Sequence, residues 1–300
     1  MSKRYGASNL RVPELPETET IARDLDAMVR GARVTGFVAR KPDVLREQGA
    51  AEFAKALIGT TIARVWRRAK LVVLNLEHDA HDHAEHDSAR RAAWHLVVQP
   101  RFTGGLLIDD GTVAEHERAY VAVTLTLDDN RQLHYRDVRR LGTVALMSPA
   151  RFAEYEGALG VEPLDLRVDD ALFSGLLRSS RQAIKQRLMD QRVLAGIGNI
   201  YANEALWRAG IDPSREARSL SQHDASRLLE ALRHVLRASI EARGTSFRDY
   251  RDARGERGQF VGQLAAYGRA GAPCLHCRRR LVGTHAVDGR STVFCPTCQS

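Results

Sequence analysis

The 300-residue sequence has no long apolar run and no cysteine before residue 274. A membrane-spanning helix needs ~18 or more consecutive apolar residues, and residues 1–12 lack the apolar centre of a secretory signal. The dispersed disulfides of secreted proteins are excluded, because the four cysteines all lie near the end of the chain. We therefore expect a soluble, cytoplasmic protein, long enough for two or three domains.

Lysine is also scarce, since five lysines accompany forty arginines. The formal net charge is +8 and the isoelectric point is about 9.6. This balance favours a polyanionic partner, with nucleic acid the first candidate. Arginine cannot lose its proton in a protein, whereas lysine can, so Lys70 and Lys185 stand out among the basic residues.

The segment Pro13-Glu-Leu-Pro-Glu17 predicts the start of a helix. Proline in the first turn and acidic residues near a helix N-terminus are both favourable. Apolar residues at i, i+4, i+7 and i+8 extend the predicted helix from Pro16 to about Arg30, and Gly31 fits its C-terminal end. The same segment sets two carboxylates beside a proline, whose nitrogen is a secondary amine when it stands first in a chain.

Short β-rich runs separated by turn residues occupy positions 33–147 and predict an antiparallel sandwich or barrel. The runs are Arg33–Ala39, Thr61–Trp66, Leu71–Leu76, Leu96–Gln99, Gly105–Ile108, Tyr120–Leu127 and Thr143–Met147. One intervening segment, Glu77–Asp87, holds five acidic residues and four histidines. A metal site and a solvated loop insertion are both open for it, and we favour the loop because the histidines lie on no periodic element.

From about residue 169 to 250 apolar faces recur with helical spacing. The predicted helices are Ala171–Leu177, Ala183–Gln191, Ile200–Ala209 and Asp224–Ala242. Asp170 and Ser221 are the expected N-caps, and Gly210 marks a break. The Gly- and Arg-rich residues 251–272 predict a flexible connection to the last part of the chain.

Two Cys-x2-Cys pairs, Cys274/Cys277 and Cys295/Cys298, are separated by seventeen residues. This spacing can place four thiolates tetrahedrally around one zinc ion at the tips of two hairpin turns. A site with four protein ligands is closed, so its predicted role is structural: the ion holds together a segment that buries too little apolar surface alone. His276, between two of the ligands, is not expected to bind the metal.

The motif Gly196-Ile-Gly-Asn-Ile-Tyr201 lies between two predicted helices. Glycines before a helix expose backbone N–H groups, and the helix N-terminus favours an anion. Asn199 adds a side-chain donor. The motif is compatible with a non-specific grip on a phosphodiester backbone and equally with an ordinary corner between two helices.

Two loops between predicted strands offer further groups for DNA. Asp137–Gly142 sets two arginines on a turn, where one can reach a phosphate while the other fills the space left by a displaced base. Gln99–Gly104 places Phe102 beside Arg101. An aromatic side chain there is either a wedge for the base stack or a part of the core.

The motifs occur in one order: Pro13–Glu19, Arg67–Lys70, Asp137–Gly142, Gly196–Glu204, Tyr267–Arg269 and the terminal four-cysteine finger. Together they resemble the formamidopyrimidine-DNA glycosylase and endonuclease VIII family from Val12 to the end, and Pro-Glu-Leu-Pro-Glu resembles the formamidopyrimidine branch. The expected fold is α+β and multidomain. It comprises an N-terminal helix plus antiparallel β-sandwich (13–150), a helical helix-two-turn-helix DNA-binding domain (151–250) and a zinc finger (251–300) with one structural Zn²⁺.

The resemblance also implies roles for individual residues. The Pro13 amine attacks C1′ of the damaged nucleoside and forms a Schiff base, and Glu14 protonates the sugar. Lys70 serves β-elimination, while Arg290 serves δ-elimination and phosphate binding. The implied DNA-binding residues are Arg139, Arg140, Asn199, Tyr120, Arg181 and Phe102. The expected protein is a monomeric, bifunctional DNA glycosylase and AP lyase that excises oxidised purines from damaged double-stranded DNA.

Some positions depart from the family pattern. The family's wedge of Met, Arg and Phe corresponds here to Phe102, Arg139 and Leu141, which weakens its third member. Tyr120 replaces a DNA-contacting histidine, and the finger spacing is one residue longer than usual. With residues 1–12 attached, the Pro13 nitrogen is a tertiary amide and no nucleophile. Residues 1–12 are thus either a disordered arm or the result of a mis-assigned start. We expect the natural chain to begin at Val12, through a GTG start codon that is read as Met, which is then removed.

Two alternative functions stay open. An endonuclease VIII-type enzyme would act on oxidised pyrimidines, and a panel of lesion-containing duplexes separates it from the first prediction. A non-catalytic zinc-finger protein would bind DNA with the same grip without cleaving it. Retention of residues 1–12 favours this second alternative.

Overall fold

The computed structural model describes residues 13–78, 93–111, 113–247 and 250–300. Within them, eight α-helices and eleven β-strands form two sheets, a group of helices and a terminal hairpin. The predicted α+β class is confirmed. Residues 1–12 and most of the predicted loop Glu77–Asp87 lie outside the described residues.

The first helix, α1, spans Leu15–Val29. Pro16 occupies its first turn, and the Glu17 carboxylate accepts a hydrogen bond from the Glu14 N–H at 2.9 Å, which satisfies one of the unpaired donors at a helix start. The helix ends ahead of Gly31, whose φ of +85° is a conformation that glycine adopts without a steric penalty. The predicted first helix is thus confirmed.

Nine strands form two facing sheets. They are β1 Val34–Ala39, β2 Leu45–Arg46, β3 Thr60–Arg68, β4 Leu71–His78, β5 Trp94–Gln99, β6 Gly104–Asp109, β7 Val121–Leu127, β8 Gln132–Asp137 and β9 Thr143–Met147. One sheet has the order β2-β9-β5-β4-β3 and the other β1-β7-β8-β6. Every pair is antiparallel except β2 with β9. All seven predicted strands are present, and β2 and β8 are added to them.

Seven further helices follow α1. They are α2 Ala50–Leu57, α3 Glu115–Arg118, α4 Pro149–Gly157, α5 Asp170–Arg178, α6 Ile184–Met189, α7 Asn199–Ala209 and α8 Gln222–Glu241. The four helices predicted beyond residue 169 correspond to α5–α8. Ser221 caps α8 as predicted. The N-cap of α5 is Asp169 and not the predicted Asp170, because the Asp169 carboxylate accepts from the Leu172 N–H at 2.8 Å.

Two large apolar cores stabilise the chain, one between the sheets and one within the helices. Helix α1 contributes to both, since Ile21 and Leu25 lie in the core of the sheets while Leu15 lies in the helical core. The residues at the start of α1 are therefore placed at the junction of the two domains.

Residues 251–272, predicted to be a flexible connection, are instead packed against both cores. Ala253 is buried in the core of the sheets, whereas Phe260 and Leu264 are buried in the helical core. Glu204 of α7 accepts hydrogen bonds from the N–H groups of residues 265–267 at distances of 2.7–2.9 Å. Hydrogen bonds between backbone N–H groups and a buried carboxylate are not visible in the composition, so the Gly- and Arg-rich pattern wrongly predicts flexibility here.

The chain ends in a hairpin of two strands, β10 Val282–Thr284 and β11 Thr292–Phe294. A small core, in which Trp207 of α7 meets Leu281 and Val293, attaches it to the helical domain. Among the helices of the described residues, none is both long and apolar enough to cross a membrane.

The substitution Glu204→Gln tests the anchoring of residues 265–267. The new NH₂ group would face N–H donors, so we expect the free energy of unfolding to fall by about 2–4 kcal/mol in urea denaturation. Glu230→Gln, on the exposed face of α8, is the matched control and should change it by less than ~0.5 kcal/mol. Equal stability of the two variants would contradict the anchoring role.

Candidate active site at the junction of two domains

The Glu14 carboxylate is buried at the N-terminus of α7. It accepts hydrogen bonds from the Gly198 N–H at 2.8 Å and the Ile200 N–H at 3.0 Å, with the Tyr201 N–H at 3.5 Å. The first N–H groups of a helix lack partners within it and form the positive end of its dipole, so they suit a carboxylate. This side chain ties the start of α1 to the helical domain.

Glycines in the turn before α7 permit this close approach. A Cβ atom at Gly198 would lie 2.4 Å from Cδ of Glu14, and one at Gly196 would lie 2.9 Å from Leu15. Gly196 also has a φ of +89°, which is readily accessible only to glycine. The backbone N–H groups at the start of α7 thus bind the Glu14 carboxylate, and contact of the motif with a phosphate stays a prediction.

Burial raises the pKa of the Glu14 carboxyl group from 4.5 to about 7. The positive charge of Lys70 and the N–H donors of α7 lower the pKa without cancelling the effect of burial, and the negative charge of Glu17 raises it. A carboxyl group that titrates near neutral pH can both give and accept a proton there, as a general acid or base must.

Glu17 fixes the backbone at Glu14. Besides the Glu14 N–H, its carboxylate accepts from the Thr245 N–H at 2.7 Å and from the Tyr201 hydroxyl. That hydroxyl also lies 2.6 Å from the Ser239 hydroxyl. Burial raises the pKa of Glu17 above its usual value. No local sequence pattern indicates this network, because Glu17 and Tyr201 are 184 residues apart.

Lys70 lies on the turn between β3 and β4 and is half-buried. Burial lowers the pKa of its ammonium group, the charge of Glu14 raises it, and the charge of Arg290 lowers it. The three charged groups are thus near enough to influence one another. Pro13, also buried, adjoins Glu14, so the structure brings the four predicted catalytic residues into one region.

Arg290 lies on the exposed loop between β10 and β11, and the helical domain holds that loop in place. The side-chain amides of Asn199 and Asn203 donate to the Ser291 carbonyl at 3.0 and 3.4 Å, and the Asn203 carbonyl oxygen accepts from the Val293 N–H at 2.7 Å. Asn199 therefore anchors the terminal hairpin, and its predicted contact with DNA stays a prediction.

Lys185 is fully buried beside the same loop. Its ammonium group donates to the Asp288 carboxylate at 3.1 Å, the Thr292 hydroxyl at 2.7 Å and the Ser291 carbonyl at 3.3 Å. Burial lowers its pKa, against the raising effect of Asp288. Because these contacts use all three donors of an ammonium group, Lys185 serves to anchor the loop.

Phe102 and Arg139 lie side by side on two neighbouring loops. The guanidinium carbon is 5.5 Å from the ring centroid, within the range of a cation–π contact. The second loop is fixed by buried Asp137, whose carboxylate accepts from the Gly142 N–H at 2.8 Å and the Arg139 N–H at 3.2 Å. Phe102 is only half-buried and Leu141 is 38% exposed, so both can meet a partner.

The other predicted DNA contacts lie on the surface, unlike buried Glu14. Arg140, with a φ of +52°, pairs with Asp43 at 3.1 Å. Tyr120 precedes β7 and is 43% exposed. Arg181 is exposed ahead of α6. Contact of these residues with DNA stays a prediction.

The four cysteines converge as predicted. Their Sγ atoms all lie within 4.8 Å of one another. His276 is not part of the cluster, and its ring packs on Trp207 with the centroids 4.2 Å apart. The cluster can therefore bind a metal ion through four sulfur ligands.

Two family models match the chain. The formamidopyrimidine-DNA glycosylase N-terminal domain matches residues 12–144, and the formamidopyrimidine-DNA glycosylase H2TH domain matches residues 159–251. The first match contains α1 and nearly all of the two sheets, and the second contains α5–α8. The first match holds most of the core of the sheets, and the second holds most of the helical core.

Relatives match over almost the whole chain. A formamidopyrimidine-DNA glycosylase of Desulfitobacterium hafniense (strain DSM 10664 / DCB-2) is 37% identical over 96% of this chain and 100% of its own. One of Thermomicrobium roseum is 39% identical over 96% and 99%. Among solved structures, Lactococcus lactis Fpg (MutM) in complex with N7-benzyl-Fapy-dG DNA has a TM-score of 0.83 at 30% identity, covering 96% of this chain and 100% of that one. The same Fpg has been solved with an abasic site containing DNA.

The substitution Gly198→Ala tests the close approach of Glu14 to α7. The added Cβ would overlap the Glu14 carboxyl group, so we expect the free energy of unfolding to fall by about 1–3 kcal/mol in urea denaturation. Gly175→Ala in α5, where a Cβ would meet nothing within 4 Å, is the matched control and should raise it by up to ~1 kcal/mol. The same change in both variants would rule out a special requirement at Gly198.

Proposed function

The chain belongs to the formamidopyrimidine-DNA glycosylase family, and from this membership we propose that it excises oxidised purines with the amine of Pro13 as nucleophile. It is a DNA glycosylase of base excision repair whose partner is damaged double-stranded DNA, and the family combines glycosylase and AP lyase activities. The observation that carries the proposal is the Glu14 carboxyl group, which lies buried beside Pro13 and whose pKa burial raises to about 7.

The proposed lesions are 8-oxoguanine and formamidopyrimidines. The Lactococcus lactis structures hold a formamidopyrimidine derivative in one case and an abasic site in another. A formamidopyrimidine is a ring-opened purine, and an abasic site is what remains once the base has left. Together they correspond to the substrate of the first step and the product that the lyase step consumes.

Excision begins with attack of the neutral Pro13 amine on C1′ of the lesion nucleotide. The bond between C1′ and the base breaks, its electron pair goes to the base, and the base takes up the proton released by the proline nitrogen. Glu14 donates its proton to the ring oxygen O4′. The sugar ring then opens, and C1′ forms a double bond to the proline nitrogen, which is the Schiff base.

Lys70 and Arg290 are assigned to strand cleavage. In β-elimination a proton leaves C2′ and the 3′ phosphate departs; in δ-elimination a proton leaves C4′ and the 5′ phosphate departs. The lowered pKa of Lys70, caused by burial, increases the share of neutral amine that can accept a proton. Arg290, which keeps its charge, suits the phosphate.

Six residues are proposed to contact the DNA: Arg139, Arg140, Asn199, Tyr120, Arg181 and Phe102. The pairing of Phe102 with Arg139 supports a wedge, because an aromatic ring can enter the base stack while the guanidinium group occupies the space of the flipped lesion. Leu141 offers the opposite base a smaller apolar surface than an aromatic side chain would.

We also propose that the four cysteines hold one structural Zn²⁺. Thiolates placed tetrahedrally at ~2.3 Å from zinc lie ~3.8 Å apart, which is compatible with Sγ atoms within 4.8 Å of one another. The ion would stabilise the hairpin that carries Arg290. The proposed domains are 13–150, 151–250 and 251–300, and the enzyme is proposed to act as a monomer in the cytoplasm.

The proposal requires a free amine at Pro13. We expect the intact mass of the natural protein to correspond to a chain that starts at Pro13, and borohydride to trap this chain covalently on abasic or 8-oxoguanine DNA. The matched control is the 300-residue chain, which should bind the same DNA without being trapped, because its Pro13 nitrogen is an amide.

Three results would contradict this part of the proposal. A natural terminus at Met1 or Ser2 would refute the start at Val12. Trapping of the 300-residue chain would refute the Pro13 nucleophile. DNA binding by the Pro13 chain without any trapping would indicate a non-catalytic binding protein.

The titration of Glu14 predicts the pH dependence of base excision. Protonated Glu14 is the acid, so the rate should fall as the pH rises above about 7; the proline amine, with a pKa of ~8, loses its nucleophilic form as the pH falls. We expect a bell-shaped profile for single-turnover excision, and Glu14→Gln should remove the alkaline limb and lower the maximum ~100-fold or more. An unchanged alkaline limb in the variant would show that another group supplies the proton.

A further inference from the structure

The carboxylate of Glu162, which lies across the domain junction, accepts hydrogen bonds from the turn Arg67–Lys70. We propose that Glu162 is a positioning residue for Lys70, and that it sets this lysine at a fixed place relative to Glu14. The role rests on the proposed function of Lys70 in strand cleavage.

One carboxylate holds the three residues that precede Lys70. Oε1 of Glu162 accepts from the Ala69 N–H at 2.7 Å and from the Arg68 guanidinium at 2.8 Å, while Oε2 accepts from the Arg67 guanidinium at 2.7 Å. Contacts to both side chain and backbone restrict the turn more than an ion pair alone would, since charge-assisted hydrogen bonds are directional.

The turn needs such support because of its backbone conformation. Ala69 has a φ of +54°, which residues other than glycine seldom adopt without surrounding constraints. Its carbonyl also accepts from the Arg67 guanidinium at 3.1 Å. Glu162 and Arg67 thus fix both sides of the residue immediately before Lys70, and the direction in which Lys70 leaves the turn follows from it.

Glu162 is itself attached to the helical domain. Just ahead of it, the Gly160 N–H donates to the Gln191 carbonyl at 2.8 Å, and Val161 pairs with residues 193 and 195 at 3.2 and 2.9 Å. A Cβ at Gly160 would lie 2.3 Å from the Val193 backbone, so the backbones of the two segments lie too close together for a side chain at position 160. The position of Glu162 is therefore defined by residues 191–195.

The same stretch of chain also places Glu14. It continues into Gly196 and Gly198, and the Gly198 N–H binds the Glu14 carboxylate at 2.8 Å. Hence Glu14 and Lys70, from different parts of the first domain, are both held by residues 191–200. This segment of the helical domain, together with the ion pair between Glu19 of α1 and Arg67 at 2.7 Å, sets the distance between the acid and the lysine.

Direct contact of the two arginines with DNA is the main alternative role for this cluster. The side chains of Arg67 and Arg68 are only 8% and 11% exposed, and both are engaged by Glu162. Arg67 is bound in addition by Glu19 at 2.7 Å. Their charges are thus neutralised within the protein, which favours a positioning role over phosphate binding.

The test compares Glu162→Gln with Glu156→Gln in the natural protein. Glu156 is a matched control because it contacts only one of the two arginines, Arg68, from a 39% exposed position. Since a small misplacement of a reacting group can cost up to ~100-fold in rate, we expect Glu162→Gln to slow single-turnover cleavage at a preformed abasic site by roughly 10- to 100-fold. Glu156→Gln should change it by no more than about twofold.

Two further measurements separate positioning from a general structural role. The dissociation constant for abasic DNA and the rate of borohydride trapping should change by less than about threefold in Glu162→Gln, because Pro13 and Glu14 are untouched. Acetic anhydride labelling of Lys70 as a function of pH, read by mass spectrometry against exposed Lys41 and Lys55, should show a changed profile. An unchanged profile, or equal losses in binding, trapping and cleavage, would overturn the proposal.

The labelling experiment needs no catalytic activity, so it separates the positioning of Lys70 by Glu162 from the proposed function. If the parent protein is never trapped on DNA while Glu162→Gln still alters Lys70 labelling, the positioning of Lys70 stands and the proposed function fails. If the parent is trapped and cleaves DNA while the labelling is the same in both proteins, the function stands and the role of Glu162 is refuted.

Discussion

The hydrogen bonds between the Glu14 carboxylate and the first N–H groups of α7 are the contact on which the rest of the site depends. They join the start of α1 to the helical domain, while Leu15 and Ile21 of the same helix anchor it in both apolar cores. Forming this contact buries the carboxyl group, and burial raises its pKa to about 7. The packing of the domains and the acidity of Glu14 therefore have one physical cause.

The charged groups around Glu14 act in opposite directions. Burial and Glu17 favour its neutral form, whereas Lys70 and the N-terminus of α7 favour its ionised form. A DNA phosphate that enters the site brings negative charge, which raises the pKa of any nearby carboxyl group. Substrate binding would thus help to keep the acid protonated in the complex, where its proton is needed.

Local spacing in the sequence predicts much of the fold but few of the contacts that assemble the site. The seven strands, the first helix and the four-cysteine cluster follow from residue patterns within short windows. The bonds of Glu14 to Gly198 and of Glu162 to Ala69 join residues 184 and 93 positions apart, and no local pattern indicates them. The Gly196–Tyr201 motif illustrates this limit. Its pattern predicts an anion at the helix N-terminus but does not indicate that the Glu14 carboxylate of the same chain binds there. The prediction that residues 251–272 are flexible is wrong for the same reason, because Glu204 binds only their backbone N–H groups.

The helical domain sets the geometry of a site to which it contributes none of the proposed catalytic residues. Gly198 and Ile200 bind Glu14. The segment paired with residues 191–195 carries Glu162, which binds the turn of Lys70. Lys185 and Asn203 hold the loop of Arg290 in place. The position of each reacting group thus depends on α6, α7 or the turn between them. A sequence change in these helices can alter the distances among the acid, the lysine and the arginine without touching DNA, so DNA affinity and the rate of strand cleavage need not change together.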